Sequence, residues 1–232
     1  YDLGVIDITG NLDLNAAIGN GATAGATSIA VSGTSNIGAD ITTTNNQTYT
    51  GAVTMSGDNR ILRSNSGTIN NVLTINGGGK NLTITGNLNV DDAISNTAIF
   101  SVSGTTDLGA NVTTTGTQTY TGAVTLSADV NLTGSTITTN STVAGGTNNL
   151  TLTGNAVFGN GTADTVTGVA VLDITGNTTI NTNTITTSST QTYGDATSDT
   201  ITIGTATTLT TTNSQITFSG TVNSQANQAY NL

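Results

Sequence analysis

The sequence predicts an all-β chain, a right-handed parallel β-helix (β-solenoid) of short strands forming a single elongated domain over residues 1–232. Two repeats and the composition carry that expectation. A long word recurs: VSGTSNIGADITTTNNQTYTGAVTM at 31–55 returns as VSGTTDLGANVTTTGTQTYTGAVTL at 102–126, with 17 of 25 positions identical. A third, looser copy, ITGNTTINTNTITTSSTQTY, runs from Ile174 to Tyr193, so Gln47, Gln118 and Gln191 follow one another at 71 and 73 residues. Self-similarity at a fixed period marks a stacked-repeat architecture. Blocks near 31–101, 102–173 and 174–232 divide the chain on that period.

A shorter word lies inside the long one: apolar, any, apolar, Ser or Thr, Gly, Asn or Thr, two of any kind, apolar. It opens the chain as IDITGNLDL (6–14) and continues as IAVSGTSNI (29–37), LTITGNLNV (82–90) and FSVSGTTDL (100–108). LTLTGNAVF (150–158) and LDITGNTTI (172–180) complete the set. The glycines of neighbouring words, 10 and 33, 86 and 104, 154 and 176, stand 23, 18 and 22 residues apart, about one turn of a solenoid. Each long block then holds three or four coils, and the chain about ten.

Within each word the alternation sends Leu, Ile and Val to one side and Thr to the other. Ile6, Ile8, Leu82, Ile84, Val102, Leu150, Leu152, Ile174 and Ile203 are the expected inward residues. Glycine falls where the chain turns sharply. Strands this short need stacked neighbours to complete their hydrogen bonding. Parallel crossovers favour the right-handed winding. The Gly/Ala-rich stretch Ala16 to Ser28 breaks the pattern and reads as a corner excursion. Tyr49, Tyr120 and Tyr193 recur at one place in the long word and read as structural plugs. Asn suits tight corners, and its side chains are expected to stack as amide ladders.

Composition supports strands over disorder. Thr (55), Asn (29) and Gly (29) make nearly half of the chain, which is rich in β-branched residues that suit a pleated surface. There is no 3.6-residue periodicity and no α-helix is expected. No apolar run reaches the length of a membrane-spanning helix, and eight Tyr and Phe residues are too few for the girdles of a transmembrane barrel. The net charge of −10, with Arg60, Arg63 and Lys80 as the only cations, argues against nucleic acid and anionic lipid. The absence of Cys removes disulfides and thiolate metal sites.

Candidate chemistry is sparse. Asp91 and Asp92 are the only adjacent acids, and with no His and three cations a polysaccharide-cleaving site is not supported; they read as a solvated corner. GNGTADTVTG at 159–168 offers Asp164 alone and GGGKN at 77–81 offers no acid, short of a calcium-binding repeat. Thr-x-Thr pairs (Thr113 and Thr115, Thr210 and Thr212) keep an ice-binding surface open, though they do not recur in every coil. N-x-T triplets at Asn81, Asn131 and Asn149 are expected by chance in such a composition. No catalytic, cofactor-binding or metal residue is nominated, and no cofactor is expected.

QTYTGAVTL (118–126), TTLTTTNSQITFSGTV (207–222) and the LTLTGN words resemble the repeats of large bacterial filamentous haemagglutinin-type adhesins. The resemblance covers essentially the whole chain as a style of repeat. It implies a long right-handed parallel β-helix exported by a two-partner or autotransporter route, although the family's secretion domain is not in this stretch. The implied role is a rigid stalk segment of a secreted surface fibre on the bacterial exterior, structural or adhesive and without catalysis. Partners would be host-cell or surface receptors or glycans, engaged by other parts of the protein, together with lateral self-association; nucleic acid and membrane insertion are not expected. A cell-envelope or phage fibre scaffold, sheath- or S-layer-like, is the alternative, ahead of an ice- or glycan-binding solenoid or a polysaccharide-degrading β-helix. The closing word QAYNL (228–232) echoes the opening of a further QTYTGAV unit, so the chain is expected to be a fragment of a longer protein.

Overall fold

A computed structural model describes residues 3–21, 23–161, 163–225 and 230. The closing word QAYNL lies outside the described residues apart from Tyr230. All regular structure among them is strand, and no helix is present. The contacts group into two units, Tyr1–Gly116 and Thr117–Leu232. Each is a β-solenoid whose strands stack in three parallel rows.

In the first unit one row climbs through Val5–Ile8, Ser28–Val31, Gln47–Tyr49, the end of Arg60–Asn71, the end of Ile75–Val90 and Thr106–Leu108. A second climbs through Leu12–Leu14, Ser35–Ile37, Val53–Met55 and the starts of Ile75–Val90 and Ile94–Val102, ending at Val112–Thr114. The third joins Ile41–Thr43 to the start of Arg60–Asn71, the middle of Ile75–Val90 and the end of Ile94–Val102. Ile75–Val90 runs through all three rows as one strand, with register shifts where it rounds the corners.

The second unit repeats the plan. Its rows start at Thr117–Tyr120, Val124–Leu126 and Val130–Thr139, and end at Thr221–Ser224, Thr208–Thr211 and Ile216–Phe218. Rungs are mostly three or four residues long, so each places one or two side chains inward and the intervening one outward. Alone such rungs would be unstable; stacking gives each backbone group a partner in the next coil.

Seven of the nine expected inward residues, Leu82, Ile84, Val102, Leu150, Leu152, Ile174 and Ile203, are at most 3% exposed. Ile6 and Ile8 point the same way but stay half-buried, because Val5–Ile8 is the first rung described and has a coil on one side only. Each fully buried aliphatic side chain stabilises by about 1.5–3 kcal/mol, so the stacked aliphatic side chains are the main force holding a coil down.

The short word is a corner clamp between successive coils. Gly10 N donates to Ser32 Oγ and Gly86 N to Ser103 Oγ, both at 3.0 Å, and Gly154 N donates to Thr175 Oγ1 at 3.0 Å. In return Gly33 N donates to Gly10 O (2.8 Å) and Gly104 N to Gly86 O (3.0 Å). The Asn of the lower word then accepts from the upper backbone: Thr34 N to Asn11 Oδ1 and Thr105 N to Asn87 Oδ1 at 2.9 Å, Asn177 N to Asn155 Oδ1 at 3.0 Å. The lower glycines adopt φ of +127°, +118° and +131°, which a side chain resists. The expected amide ladders are thus largely replaced by Asn-to-backbone bonds, because the corner exposes an N–H that only a side chain can reach. Asn96 Nδ2 to Asn76 Oδ1 (2.9 Å) is a true amide-to-amide pair.

The long repeat is not a whole number of coils. Val31 and Val102 open its first two copies, yet Val31 sits in the row of Gln47–Tyr49 and Val102 in that of Ile41–Thr43. In the second unit Gln118 pairs with Ile137 in the first row, whereas Gln191 pairs with Leu172 in the third. Each copy therefore advances three coils and two further rungs, within the three to four coils expected per block. The same words are presented on different rows.

Candidate functional site

The repeated Gln-x-Tyr is wholly interior. Gln47, Tyr49, Gln118, Tyr120, Gln191 and Tyr193 are each 0% exposed, with the Thr between them turned outward. Each phenol donates to the glutamine two residues earlier: Tyr49 to Gln47 Oε1 at 3.0 Å, Tyr120 to Gln118 and Tyr193 to Gln191 at 2.9 Å. The amide nitrogens donate onward to carbonyls of Arg63 (2.7 Å), Thr133 and Thr210 (both 2.8 Å). Burial disfavours the phenolate and pushes all three tyrosines well above the ordinary value of 10.0. The tyrosines are plugs, as the sequence indicated; the buried glutamines were missed, because an isolated polar residue in a strand pattern reads as outward-facing.

The acids considered at the sequence level serve the backbone. Asp92 Oδ1 accepts from Ala93 N (2.7 Å), Asp91 Oδ1 from Asn89 Nδ2 (3.1 Å), and both lie at a corner. Asp164 Oδ2 accepts from Asn160 N at 3.0 Å, and its carbonyl accepts from Thr182 Oγ1. Among the described residues no three acids, histidines or cysteines come together as a metal-binding group. Gly77 to Asn81 belong to the Ile75–Val90 strand, with Lys80 exposed.

Outward threonines line up more than the sequence spacing indicated, because corners absorb the differences in coil length. In the first row of the second unit Thr117 and Thr119 face Thr136 and Thr138 across the ladder. Thr200 and Thr202 recur further along. Asn155 and Val157 interrupt them, so the row is mixed in chemistry. Thr113 and Thr115 are exposed on the first unit, and Thr210 and Thr212 on the second.

A concave feature with converging charge lies on the first unit. The stretch expected to be a corner excursion docks back on the third row: Ile18 bridges to Ile41 and Ala26 to Thr43. Between them Gly19 and Gly25 pack so closely that a Cβ on Gly25 would sit 2.7 Å from Gly19 Cα, a neck that only glycine permits. Thr42 Oγ1 fastens the flap by donating to Gly21 O at 2.8 Å. A cleft of about 170 Å³ opens beside it, walled by Ile18, Gly19, Asn20, Asp40, Ile61 and Arg63. Asp40 Oδ1 accepts from Ile61 N (2.9 Å) and lies 3.8 Å from Arg60 Nη1. Arg60 is itself spent on the carbonyls of Ser56 and Asn59 at 2.9–3.1 Å. Arg63 Nε is buried without a hydrogen-bond partner. Sequence reasoning did not foresee this cleft, which depends on where the flap lands.

Comparison with known proteins finds no matching family model, no similar curated protein and no similar solved structure. What is shown is a β-solenoid of stacked parallel coils.

Proposed function

We propose that this chain is a rigid stalk segment of a secreted bacterial surface fibre, adhesive or scaffolding in role and without catalysis. The observation that supports this best is where the repeated words go. The Ser/Thr-Gly-Asn word builds corner clamps between coils, and the Gln-x-Tyr word plugs the interior while its glutamine amide donates to a carbonyl further along the chain, so both repeats serve to tie the stack together. A stack in which every coil is gripped by two neighbours resists local opening, the property required of a spacer. Outer positions rich in Thr keep strand propensity. The resemblance to filamentous haemagglutinin-type repeats points in the same direction.

The experiment is to raise antibodies to residues 1–232, probe intact source cells, and measure the native polypeptide before and after external protease. A chain far above 23.0 kDa that external protease removes from cells supports the fibre. A 23.0 kDa species, or one protected inside the cell, overturns it. Ordered side-to-side arrays in native envelopes would favour the scaffold form over the adhesin.

A further inference from the structure

We propose that the cleft beneath the 16–28 flap binds a single acidic sugar, a uronic acid residue, with Arg63 holding the carboxylate and Asp40 taking a ring hydroxyl. The charge arrangement carries this. The chain has three cations against thirteen acids, so a half-buried arginine left without a carboxylate partner is unusual here. Arg60 is occupied by backbone carbonyls and offsets Asp40, whereas Arg63 Nε reaches no acceptor in the protein. Arg63 borders the cleft, where the outer edge of its planar guanidinium can pair with a ligand carboxylate as a charge-assisted fork, while the enclosed Nε stays out of a ligand's reach.

The other walls match the rest of a sugar ring. Ile18 and Ile61 present apolar surface, and Ile61 is 39% exposed although it lies in a strand. The free side of the Asp40 carboxylate is an acceptor for hydroxyl donors, and the Asn20 amide and the backbone of Gly19 border the same space. About 170 Å³ is below the usual range for drug-sized ligands and holds one ring at most. An acid without hydroxyls would leave Asp40 unused, and a neutral sugar would leave Arg63 unpaired. This inference does not rest on the fibre reading, since a free solenoid would carry the same cleft.

The test is ligand-observed NMR titration of the full chain with galacturonate, methyl galactoside and acetate, following the Ile61 methyl groups in parallel. Galacturonate should bind with a Kd on the order of 1 mM at low salt, and the other two at least about tenfold more weakly. Arg63→Gln should abolish the galacturonate signal, and Arg63→Lys should weaken it about tenfold, because a point charge cannot make the fork. Lys80→Gln removes the same charge outside the cleft and should leave binding unchanged. An unaltered circular dichroism spectrum and melting temperature for each variant show that the outward-facing position tolerates the change. Equal affinity for acetate or methyl galactoside, galacturonate binding that survives Arg63→Gln, or no binding at all would each overturn the proposal.

Discussion

Tyr193 donates its phenolic hydrogen to Gln191 Oε1 at 2.9 Å while both side chains are fully enclosed, so each is the other's answer to burial. The pair is closed on the far side by Gln191 Nε2, which donates to Thr210 O at 2.8 Å. On the next rung the same two positions are Ile216 and Phe218, with the Phe218 ring stacked on Tyr193 at 5.3 Å. One site of the coil thus accepts either a satisfied polar pair or an apolar one.

That equivalence sets an asymmetry between single and double substitutions. Tyr193→Phe leaves Gln191 Oε1 buried without its donor and should cost about 1–3 kcal/mol. Gln191→Leu, which strands the phenol, should cost a similar amount. Replacing both should cost less than either single change, since the Ile216 and Phe218 rung shows that the apolar version fits. Urea unfolding of the three variants measures the coupling; additive losses would show that the hydrogen bond is not what the pair contributes.

The corner glycines should separate strain from crowding. Gly10 and Gly154 have nearly the same backbone, φ +127° and +131°, but a Cβ on Gly10 meets nothing within 4 Å whereas one on Gly154 collides with the Gly134 carbonyl. Gly10→Ala should therefore cost only the conformational penalty of about 1–2 kcal/mol. Gly154→Ala should cost that and more, because backbone must move. Gly161→Ala, with open space and no strained φ, should be neutral. Thermal melts rank the three, and a reversed order for Gly10 and Gly154 would refute the clamp geometry.

Thr178 marks a place where the inner column is imperfect. It is 1% exposed, lies between Ala156 and Ile201 in its row, and its hydroxyl is buried without a partner. Thr178→Val replaces that hydroxyl with a methyl and should stabilise by about 1 kcal/mol. Ser35, equally enclosed and unpartnered, offers an independent check through Ser35→Ala. Calorimetry reads both; a lower melting temperature would mean that the hydroxyls are satisfied in solution.

Much of this architecture was legible in the residues. LTITG and LTLTG alternate as half-buried strands do, and the 18-, 22- and 23-residue glycine intervals are single coils, as the Gly10 to Gly33, Gly86 to Gly104 and Gly154 to Gly176 clamps show. Three things were hidden. The long period advances by three coils and two rungs, which no count of glycines reveals because corners take up extra residues without disturbing register: the coil from Ile29 to Gln47 spans 18 residues and that from Gln191 to Ile216 spans 25. Gln191 is inward although polar, since its neighbours' carbonyls, not its own pattern, satisfy it. The cleft at Arg63 joins residues from three different coils, and whether the 16–28 flap docks or hangs free depends on contacts such as Thr42 to Gly21 that sequence spacing does not encode.

The buried phenols give the fold a sign-determined response to alkali. Tyr49, Tyr120 and Tyr193 are all shifted upward by burial, so above pH 10 the unfolded chain releases protons that the folded chain retains. Stability should be insensitive to these groups below the unfolded value of about 10 and fall as pH rises past it, by about 1.4 kcal/mol per pH unit for each tyrosine. In a chain carrying Tyr1→Phe and Tyr230→Phe, so that only the three plugs report, ultraviolet difference spectra should show little phenolate until the fold gives way, and then a cooperative rise as the three are exposed together. Tyr193→Phe should reduce the steepness of the alkaline loss by one proton while lowering stability at neutral pH. Gradual ionisation near pH 10 in the fully folded Tyr1→Phe, Tyr230→Phe chain would instead place these rings at the surface and undo the plug assignment.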